Sequence, residues 1–275
     1  MDGMAFKAAS KIGFKMTKYM PGKLRPKFLE VLRYKLLYRL FSRKMLLEQS
    51  RFKGKTVLLA GPARTLSDDL SPWSADDFDL VVKMNNGLWV DLPFGTGNSQ
   101  RCDVLFHSLT DDIPAVTSAA LAAADVRCLV HRTTGKGRFP ITLWAARSWG
   151  TENRVVRIVD PDSYRKLTKR LEGASPTTGL VCLDFLLKSG AKKVVIAGFT
   201  FFQTKYQDGY DERDQTDQDT VQRVKSLSHH DPDKEREVVA RLVAEARKAG
   251  TEVVLGPCVE TALQGRLIDN QDLVS

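Results

Sequence analysis

The sequence predicts an α/β fold, in which a Rossmann-like, mostly parallel sheet carries helices on both faces. Short, continuously apolar runs recur along the chain, and stretches with a helical period separate them. This alternation is typical of parallel strands that are connected by crossover helices. A length of 275 residues and a hydrophobic fraction of 43% are sufficient for one large core.

Each element follows from its local pattern. Seven apolar runs are predicted to be strands, at Thr56–Ala60, Leu80–Met84, Val104–Phe106, Arg127–Val130, Val155–Val159, Lys193–Ala197 and Glu252–Leu255. Four further stretches are predicted to be helices, at Ile113–Ala124, Ser163–Leu171, Pro176–Lys188 and Pro232–Lys248. The polar residues 203–229 predict a long mobile loop, and such loops often serve as lids.

The positive charge of the chain is concentrated at its N-terminus. Residues 1–50 contain twelve Lys or Arg and three Asp or Glu, a net charge of +9, whereas residues 51–275 contain thirty of each. The sequence therefore predicts a basic N-terminal segment, 1–50, followed by one neutral catalytic domain, 51–275. A neutral body argues against nucleic-acid binding.

Residues 4–46 predict two amphipathic helices, Met4–Met20 and about Arg25–Leu47. Apolar positions recur with helical spacing, and Lys and Arg lie between them. One interpretation is a helix that lies on an anionic membrane surface, and the other is a helix that packs on the body with solvated basic side chains. No apolar stretch reaches 18 residues, so no membrane-spanning helix is predicted. No unbroken apolar segment follows the basic N-terminus, so no cleaved signal peptide is predicted either.

The cysteines and two of the histidines are interpreted as structural residues. The four cysteines, Cys102, Cys128, Cys182 and Cys258, form no C-x-x-C pair, which argues against a zinc site and indicates a reducing compartment. Cys128 and Cys182 lie in apolar runs that are typical of a core. His107 and His131 follow strands and have no candidate partner in the sequence.

Two polar turns at strand ends are candidate nucleotide-binding elements. Gly61, Pro62, Ala63 and Arg64 follow the first strand, where α/β sheets bind nucleotides, but they do not form a G-x-G-x-x-G fingerprint. Asn85 and Asn86 follow the second strand, and their amides suit a base or ribose edge. The alternatives are an ordinary strand-to-helix turn and a simple Asn-Gly turn.

Two helix starts are candidate sites as well. Ser175 is predicted to cap a helix that begins at Pro176, so Thr177, Thr178 and Gly179 would present amides and hydroxyls to a phosphate or carboxylate. Asp231 is predicted to cap a helix that begins at Pro232, which favours a neutral His230 that can act as a base. Glu235 would orient His230 or complement the helix dipole. The alternatives are a plain cap and solvated loop histidines.

In their order and spacing these segments resemble the animal-type sialyltransferases, glycosyltransferase family 29, over roughly residues 55–255. The family has four motifs, called large, small, third and very small. The large motif is matched here by Val57–Ala63 and Asp79–Asn86, and the small motif by Ser175–Gly179 through Val194–Phe199, which includes Gly198. The third motif is matched by Gly209–Glu212, which includes Tyr210, and the very small motif by His230 with Glu235.

The resemblance implies a single GT-A-like domain that transfers an acidic sugar from CMP to a glycan or glycolipid acceptor. The large-motif turn and Asn85 would contact CMP, and Thr177, Thr178 and Gly179 would contact the phosphate and carboxylate of the donor. His230 would deprotonate the acceptor hydroxyl for an inverting attack that needs no metal. Sialic acid and 3-deoxy-manno-octulosonate (Kdo) are both open as the sugar.

Some residues depart from the family pattern. Pro62 replaces an asparagine, the cysteine that opens the large motif is missing, and the third motif lacks its histidine. Lys205, Tyr210 or His229 would have to replace that histidine. Together with the basic segment, these departures suggest a bacterial-type enzyme on the cytoplasmic face of the membrane, in lipopolysaccharide or capsule biosynthesis. The alternatives are a nucleotide-sugar binding protein without activity and another α/β nucleotide-dependent enzyme.

Overall fold

A computed structural model describes residues 28–95, 97–110, 113, 115–132, 135–211, 213–226, 230–266 and 268. Within them, seven strands form one sheet: Thr56–Ala60 (β1), Leu80–Met84 (β2), Val104–His107 (β3), Cys128–His131 (β4), Val155–Ile158 (β5), Lys193–Ala197 (β6) and Glu252–Leu255 (β7). The order is β5-β4-β3-β2-β1-β6-β7, and every pair is parallel. The predicted fold class is therefore confirmed.

Helices cover both faces of the sheet. The α-helices of the described residues are Phe28–Phe41 (α1), Leu66–Asp69 (α2), Ser118–Ala123 (α3), Phe139–Trp149 (α4), Pro161–Arg170 (α5), Thr178–Leu187 (α6), Asp217–Ser226 (α7), Pro232–Lys248 (α8) and Pro257–Leu263 (α9). Short 3-10 helices occupy Arg43–Met45, Gln49–Arg51, Ala75–Asp77 and Asn85–Trp89.

The strands alternate between two buried faces. Val57 and Leu59 of β1 pack in the largest core cluster with α6 and α8, whereas Leu58 and Ala60 pack on the opposite face with Leu66 of α2. Because successive side chains of a strand point to opposite faces, a strand buried on both sides needs a continuous apolar run. This is why the apolar runs located the strands so closely.

The strand order reverses beside β1. The chain moves outward from β1 through β5 and then returns to place β6 on the other side of β1. In open α/β sheets, such a reversal leaves a crevice at the carboxyl ends of the strands. The segments that follow β1, β2 and β6 meet in this crevice.

Several helix predictions are corrected by the structure. The helix predicted at Ile113–Ala124 is α3, which begins at Ser118 because the Thr117 hydroxyl accepts a hydrogen bond from the Ala120 amide at 3.1 Å. The helix predicted at Ser163–Leu171 begins earlier, since Asp160 caps it and Pro161 opens it. Helices α2, α4, α7 and α9 were not predicted.

Residues 203–229 are not one long loop. They include α7, and the segment before it is fixed to the turn after β1, since Gln207 donates to the Pro62 carbonyl at 2.8 Å. Asp217 at the start of α7 accepts from Arg64 and from the Lys205 amide. The prediction of a loop was wrong because tertiary hydrogen bonds stabilise a segment that has little apolar periodicity.

The predicted helix Met4–Met20 lies outside the described residues. The second predicted helix corresponds to α1, which is followed by a connection to the sheet, where the Leu47 amide donates to the Ile158 carbonyl at 2.9 Å. Among the described helices, none combines the length and the apolar character needed to cross a bilayer. All four cysteines are free and buried, and Cys128 and Cys182 lie in the largest core cluster as predicted.

Candidate functional site

A cavity of about 310 Å³ opens at the carboxyl edge of the sheet. The segments after β1, β2 and β6 form its walls, together with the N-terminal turns of α6 and α8. This is the edge at which open α/β sheets bind ligands. The predicted site residues that line it are Pro62, Ala63, Asn85, Thr177, Thr178, Gly179, Gly198, Tyr210, His230 and Glu235.

The N-terminus of α6 faces the cavity, but its cap differs from the prediction. Thr177, not Ser175, is the N-cap, and its hydroxyl accepts from the Leu180 amide at 3.1 Å. The predicted helix start at Pro176 is accordingly wrong, and α6 begins at Thr178. The cause lies far along the chain, because the Glu235 carboxylate accepts from both the amide and the hydroxyl of Thr177, each at 2.7 Å.

Glu235 is a buried carboxyl group whose side chain is 4% exposed. Burial raises its pKa to about 7, although the Thr177 hydrogen bonds and the nearby charge of Arg132 pull the pKa in the opposite direction. Since both carboxylate oxygens bind Thr177, Glu235 fixes the start of α6. The sequence indicated two roles for Glu235, and this bracing role was not among them.

His230 lies immediately before α8 and contacts the segment that leads into α6. Its Nδ1 atom is 2.7 Å from the carbonyl oxygen of Ser175. A carbonyl oxygen only accepts hydrogen bonds, so Nδ1 carries the proton. In the neutral ring, Nε2 is then the atom with a lone pair, and it is the atom that can accept a proton from a ligand.

The turn after β1 is shaped by close packing against the segment after β6. A Cβ atom on Gly61 would lie 2.1 Å from the carbonyl oxygen of Gly198 and 2.7 Å from the ring of Phe199. A Cβ atom on Gly179 would lie 2.9 Å from the same Phe199 ring. The packing of Phe199 therefore explains why these positions are glycines, and contact with a ligand is not required to explain it.

Asp69 supports this turn from beneath. It is fully buried, and its carboxylate accepts from the amides of Gly198 and Cys258, each at 2.8 Å. Burial raises its pKa to about 6. Arg64, a predicted donor-binding residue, pairs with Asp217, with Nη2 2.9 Å from Oδ2 and Nε 3.2 Å from Oδ1. Arg64 thus connects the turn to α7.

The two asparagines after β2 bind protein groups. Asn85 has a left-handed backbone, with φ of 47°, and its side chain accepts from the Ser108 amide at 3.0 Å and donates to the Thr178 hydroxyl at 3.2 Å. Asn86 donates to the Tyr210 carbonyl at 2.6 Å. Asn85 lines the cavity, whereas Asn86, only 4% exposed, holds the segment that carries Tyr210.

Two of the three residues considered as replacements for the third-motif histidine, Lys205 and Tyr210, are among the described residues, and of these two Tyr210 lines the cavity. Burial raises the pKa of Tyr210 to about 12, so its phenol is a neutral hydrogen-bond donor at pH 7. The Lys205 ammonium lies 3.9 Å from the carboxylate of Asp208. His229 and Glu212 lie outside the described residues.

Sequence reasoning missed several further polar residues that line the cavity, among them Arg132, Tyr206 and Arg223. Arg132 follows β4 and donates to the Pro176 carbonyl at 2.8 Å, and its position after a strand was an available signal. Arg223 of α7 pairs with Asp214 at 2.6 Å, and its guanidinium lies 5.9 Å from the ring centre of Tyr206. Arg223 and Tyr206 belong to the stretch that was predicted to be a loop, so nothing local indicated them.

His107 and His131 lie side by side on β3 and β4 and are fully buried. His107 Nδ1 accepts from the Leu109 amide at 2.9 Å, and His131 Nδ1 is 2.8 Å from the Thr142 hydroxyl. Burial lowers the pKa of His131 to about 3. These contacts agree with the structural role predicted for both residues. Across the described part of the chain, no group of three or more His, Cys, Asp or Glu has the arrangement of a metal site.

No family model and no curated protein matches the chain. It is similar to solved structures of sialyltransferases, the family that the motif order resembles. A mammalian sialyltransferase in complex with Gal-beta-1-3GalNAc-ortho-nitrophenol is 15% identical, with 93% of this chain and 86% of that chain covered and a TM-score of 0.48.

Two bacterial structures are similar to a comparable degree. The sialyltransferase CstII from Campylobacter jejuni in complex with CMP-3FNeuAc is 13% identical, with 80% of this chain and 89% of that chain covered and a TM-score of 0.48. The monofunctional alpha-2,3-sialyltransferase Cst-I from the same organism is 8% identical, with coverages of 76% and 77% and a TM-score of 0.43.

Proposed function

We propose that the protein is an inverting glycosyltransferase that moves an acidic keto-sugar, sialic acid or Kdo, from its CMP donor to a glycan or glycolipid acceptor. His230 is the general base, and the reaction requires no metal. The observation that carries the proposal is the position of His230, which is held by Ser175 beside a helix N-terminus that opens into the cavity.

The N-terminus of α6 supplies the binding site for the anionic part of the donor. Amides in the first turn of a helix have no partner within the helix, and the helix dipole favours negative charge there. Thr178 and Gly179 line the cavity at this turn, and Arg132 lines it nearby. Phosphate and carboxylate groups are the ligands for which such a site is suited.

The reaction then needs one proton acceptor and one stabilised leaving group. His230 Nε2 accepts the proton of the acceptor hydroxyl while the oxygen attacks the anomeric carbon, and the bond to CMP breaks on the opposite face. The negative charge that develops on the departing phosphate is stabilised by the α6 amides, by Arg132 and by the neutral phenol of Tyr210.

The first test is calorimetric titration with CMP, with UMP and GMP as controls, in the presence of EDTA. Selective binding of CMP supports the donor assignment and a binding site that is independent of metal. Equal binding of the three nucleotides, or no binding, contradicts the proposal and favours another α/β nucleotide-dependent enzyme. Binding of CMP without transfer to any acceptor favours the alternative of a nucleotide-sugar binding protein.

We also propose that the protein is cytoplasmic and lies on the inner face of the cell membrane, with a role in envelope glycan assembly. Helix α1 supports this proposal, because three leucines spaced four residues apart and the following phenylalanine are exposed: Leu32 by 44%, Leu36 by 56%, Leu40 by 54% and Phe41 by 41%. Arg33, Lys35, Arg39, Arg43 and Lys44 lie between and after them. Apolar side chains flanked by basic ones suit an anionic bilayer surface.

Removal of residues 1–50 is a poor test of membrane binding, because it also removes the buried Leu47, and we expect this to lower stability. The double variant Leu36→Gln, Leu40→Gln is sharper, since both side chains are exposed. We expect it to sediment less with vesicles that contain phosphatidylglycerol, and we expect sedimentation of the native protein to fall with salt. Trp89→Gln is a control, since Trp89 is 43% exposed and lies elsewhere. Unchanged sedimentation of the double variant would refute the membrane role.

A further inference from the structure

The segment after β6 has an unusual backbone. Among the described residues other than glycine, six have positive φ angles. Two of them follow helix ends, where left-handed residues are common, and four lie after strands at the edge that holds the cavity. The first group is Asp125 and Glu172, and the second is Asn85, Leu109, Phe201 and Phe202.

Phe201 and Phe202 are the central pair of a tight turn. Their φ angles are 50° and 64°, and the Gln203 amide donates to the Thr200 carbonyl at 3.0 Å. Two successive positive φ angles within such a hydrogen bond are the signature of a type I′ turn, which normally contains Asn and Gly. Bulky side chains are strongly disfavoured there, since their Cβ atoms crowd the backbone.

The surroundings hold the turn in this conformation. The hydroxyl groups of Thr200 and Thr204 are buried and lie 2.8 Å apart. Two residues further on, Tyr206 pairs with Ala63 in a β-bridge, beside the turn after β1. Strain that the neighbouring structure enforces is typical of functional sites.

The two rings have different environments. Phe201 also lines the cavity, but it packs against the largest core cluster. The Phe202 ring instead packs edge to face with the Tyr206 ring, with 6.5 Å between the ring centres and 74° between the ring planes. The centres of the Tyr206 and Tyr210 rings are 4.6 Å apart. Phe202, Tyr206 and Tyr210 all line the cavity, and we call them the aromatic wall.

We propose that Phe202 is a donor-binding residue whose ring stacks on the pyrimidine base of the donor nucleotide. This inference rests on the proposed function and adds to it a position for the base. The polar and charged groups Thr178, Arg132 and His230 account for the anionic and reacting end of the donor. Phe202 lies in the aromatic wall, which is joined to the turn after β1 through Tyr206, and it supplies the flat apolar surface that a base requires.

The test compares CMP with ribose 5-phosphate, which lacks the base, by calorimetry on the full chain. Phe202→Leu keeps an apolar side chain but removes the ring, and we expect CMP affinity to fall by about 10-fold or more, as base stacking on aromatic side chains generally contributes. Phe202→Tyr keeps the ring and should bind CMP like the native protein. Ribose 5-phosphate should bind all three proteins equally.

Two control variants separate stacking from general damage. Phe94→Leu removes a ring that packs on Phe78, away from the cavity, and should leave CMP affinity unchanged. If Phe202→Leu does not fold, Phe202→Asn replaces it, since asparagine accepts the left-handed backbone. An unchanged CMP affinity without the ring, or an equal loss for CMP and ribose 5-phosphate, would overturn the inference. Failure of the native protein to bind CMP would instead overturn the proposed function.

Discussion

The two sides of the cavity are built differently, although a buried carboxylate braces each of them. On the α6–α8 side, Glu235 binds Thr177, and His230 and the first turn of α6 face the cavity. On the β1–β6 side, Asp69 binds Gly198 from beneath, and backbone atoms of Gly61 and Gly198 are in close contact. The first side presents groups that can move protons and bind anions, whereas the second fixes the shape of the pocket.

The largest effect that would separate the two sides is a loss of turnover on the α6–α8 side alone. His230→Ala removes the proposed base, so we expect turnover to fall by about 10²-fold or more while CMP affinity stays constant. His230→Asn is a matched variant, because its amide can still donate to Ser175 but has no basic nitrogen. Assays of transfer and calorimetry measure both variants, and full turnover in either one would contradict the role of His230.

A second effect tests the buried carboxylate of the α6–α8 side. The pKa of Glu235 is raised from 4.5 to about 7 in the folded protein, because the carboxyl group is buried. Between these pH values the native state therefore binds more protons than the unfolded state. The stability from this group is therefore present below pH 4.5 and is lost as the pH rises through 7. For the native protein relative to Glu235→Gln, we expect a loss of about 3 kcal/mol over that range, because each pKa unit corresponds to about 1.4 kcal/mol.

Denaturant unfolding at several pH values measures this difference. Asp69→Asn is the matching variant on the β1–β6 side. The pKa of Asp69 is raised from 3.8 to about 6, so the stability from this group is also lost as the pH rises, but over this lower pH range. Identical pH profiles of the native protein and Glu235→Gln would show that the carboxylate of Glu235 does not change protonation on folding.

A third effect should be confined to the β1–β6 side. Gly61→Ala places a Cβ atom against the carbonyl of Gly198, and we expect a loss of about 1–3 kcal/mol in the free energy of unfolding, as overpacking usually causes. Gly135→Ala is the control, because nothing lies within 4 Å of a Cβ atom there. Thermal unfolding decides between them, and equal stability of the two variants would show that the Gly61 contact is not tight.

The smallest effect distinguishes the two candidate caps of α6. Thr177→Ala removes the cap hydroxyl and should destabilise the protein by about 1 kcal/mol, whereas Ser175→Ala should have almost no effect. Thr177→Ser keeps the hydroxyl and should retain most of the stability. A larger loss from Ser175→Ala than from Thr177→Ala, measured by denaturant unfolding, would restore the cap that the sequence predicted.

The caps of α6 and α8 show what a sequence pattern can resolve. Asp231 was predicted to cap α8 and does so, since its side chain accepts from the Lys234 amide. For α6, the sequence pattern predicted Ser175 as the cap, whereas the cap in the structure is Thr177. Glu235, 58 residues away along the chain, selects Thr177 by binding its amide and hydroxyl. A local sequence pattern does not indicate a partner that is so distant in the chain.

The same contrast applies to the missed helices and cavity residues. Helix α7 is short and polar, and what fixes it is the pairing of Asp217 with Arg64 and of Arg223 with Asp214. Arg223 and Tyr206 reach the cavity only because α7 and the preceding segment fold back onto the turn after β1. A run of polar residues by itself predicts a loop, because the sequence pattern does not show these tertiary contacts.

The sequence by itself determined the seven strands of a mostly parallel sheet, because burial on both faces requires continuous apolar runs. It also located the helices α1, α3, α5, α6 and α8 and the order of the segments at the carboxyl edge, where the topology brings the strand ends together. Only the tertiary structure decided which of the candidate residues face the cavity. That choice depends on hydrogen bonds between distant residues, such as Glu235 with Thr177 and His230 with Ser175, and on close packing such as that of Gly61 against Gly198. These contacts join residues that are close in space but far apart in the sequence.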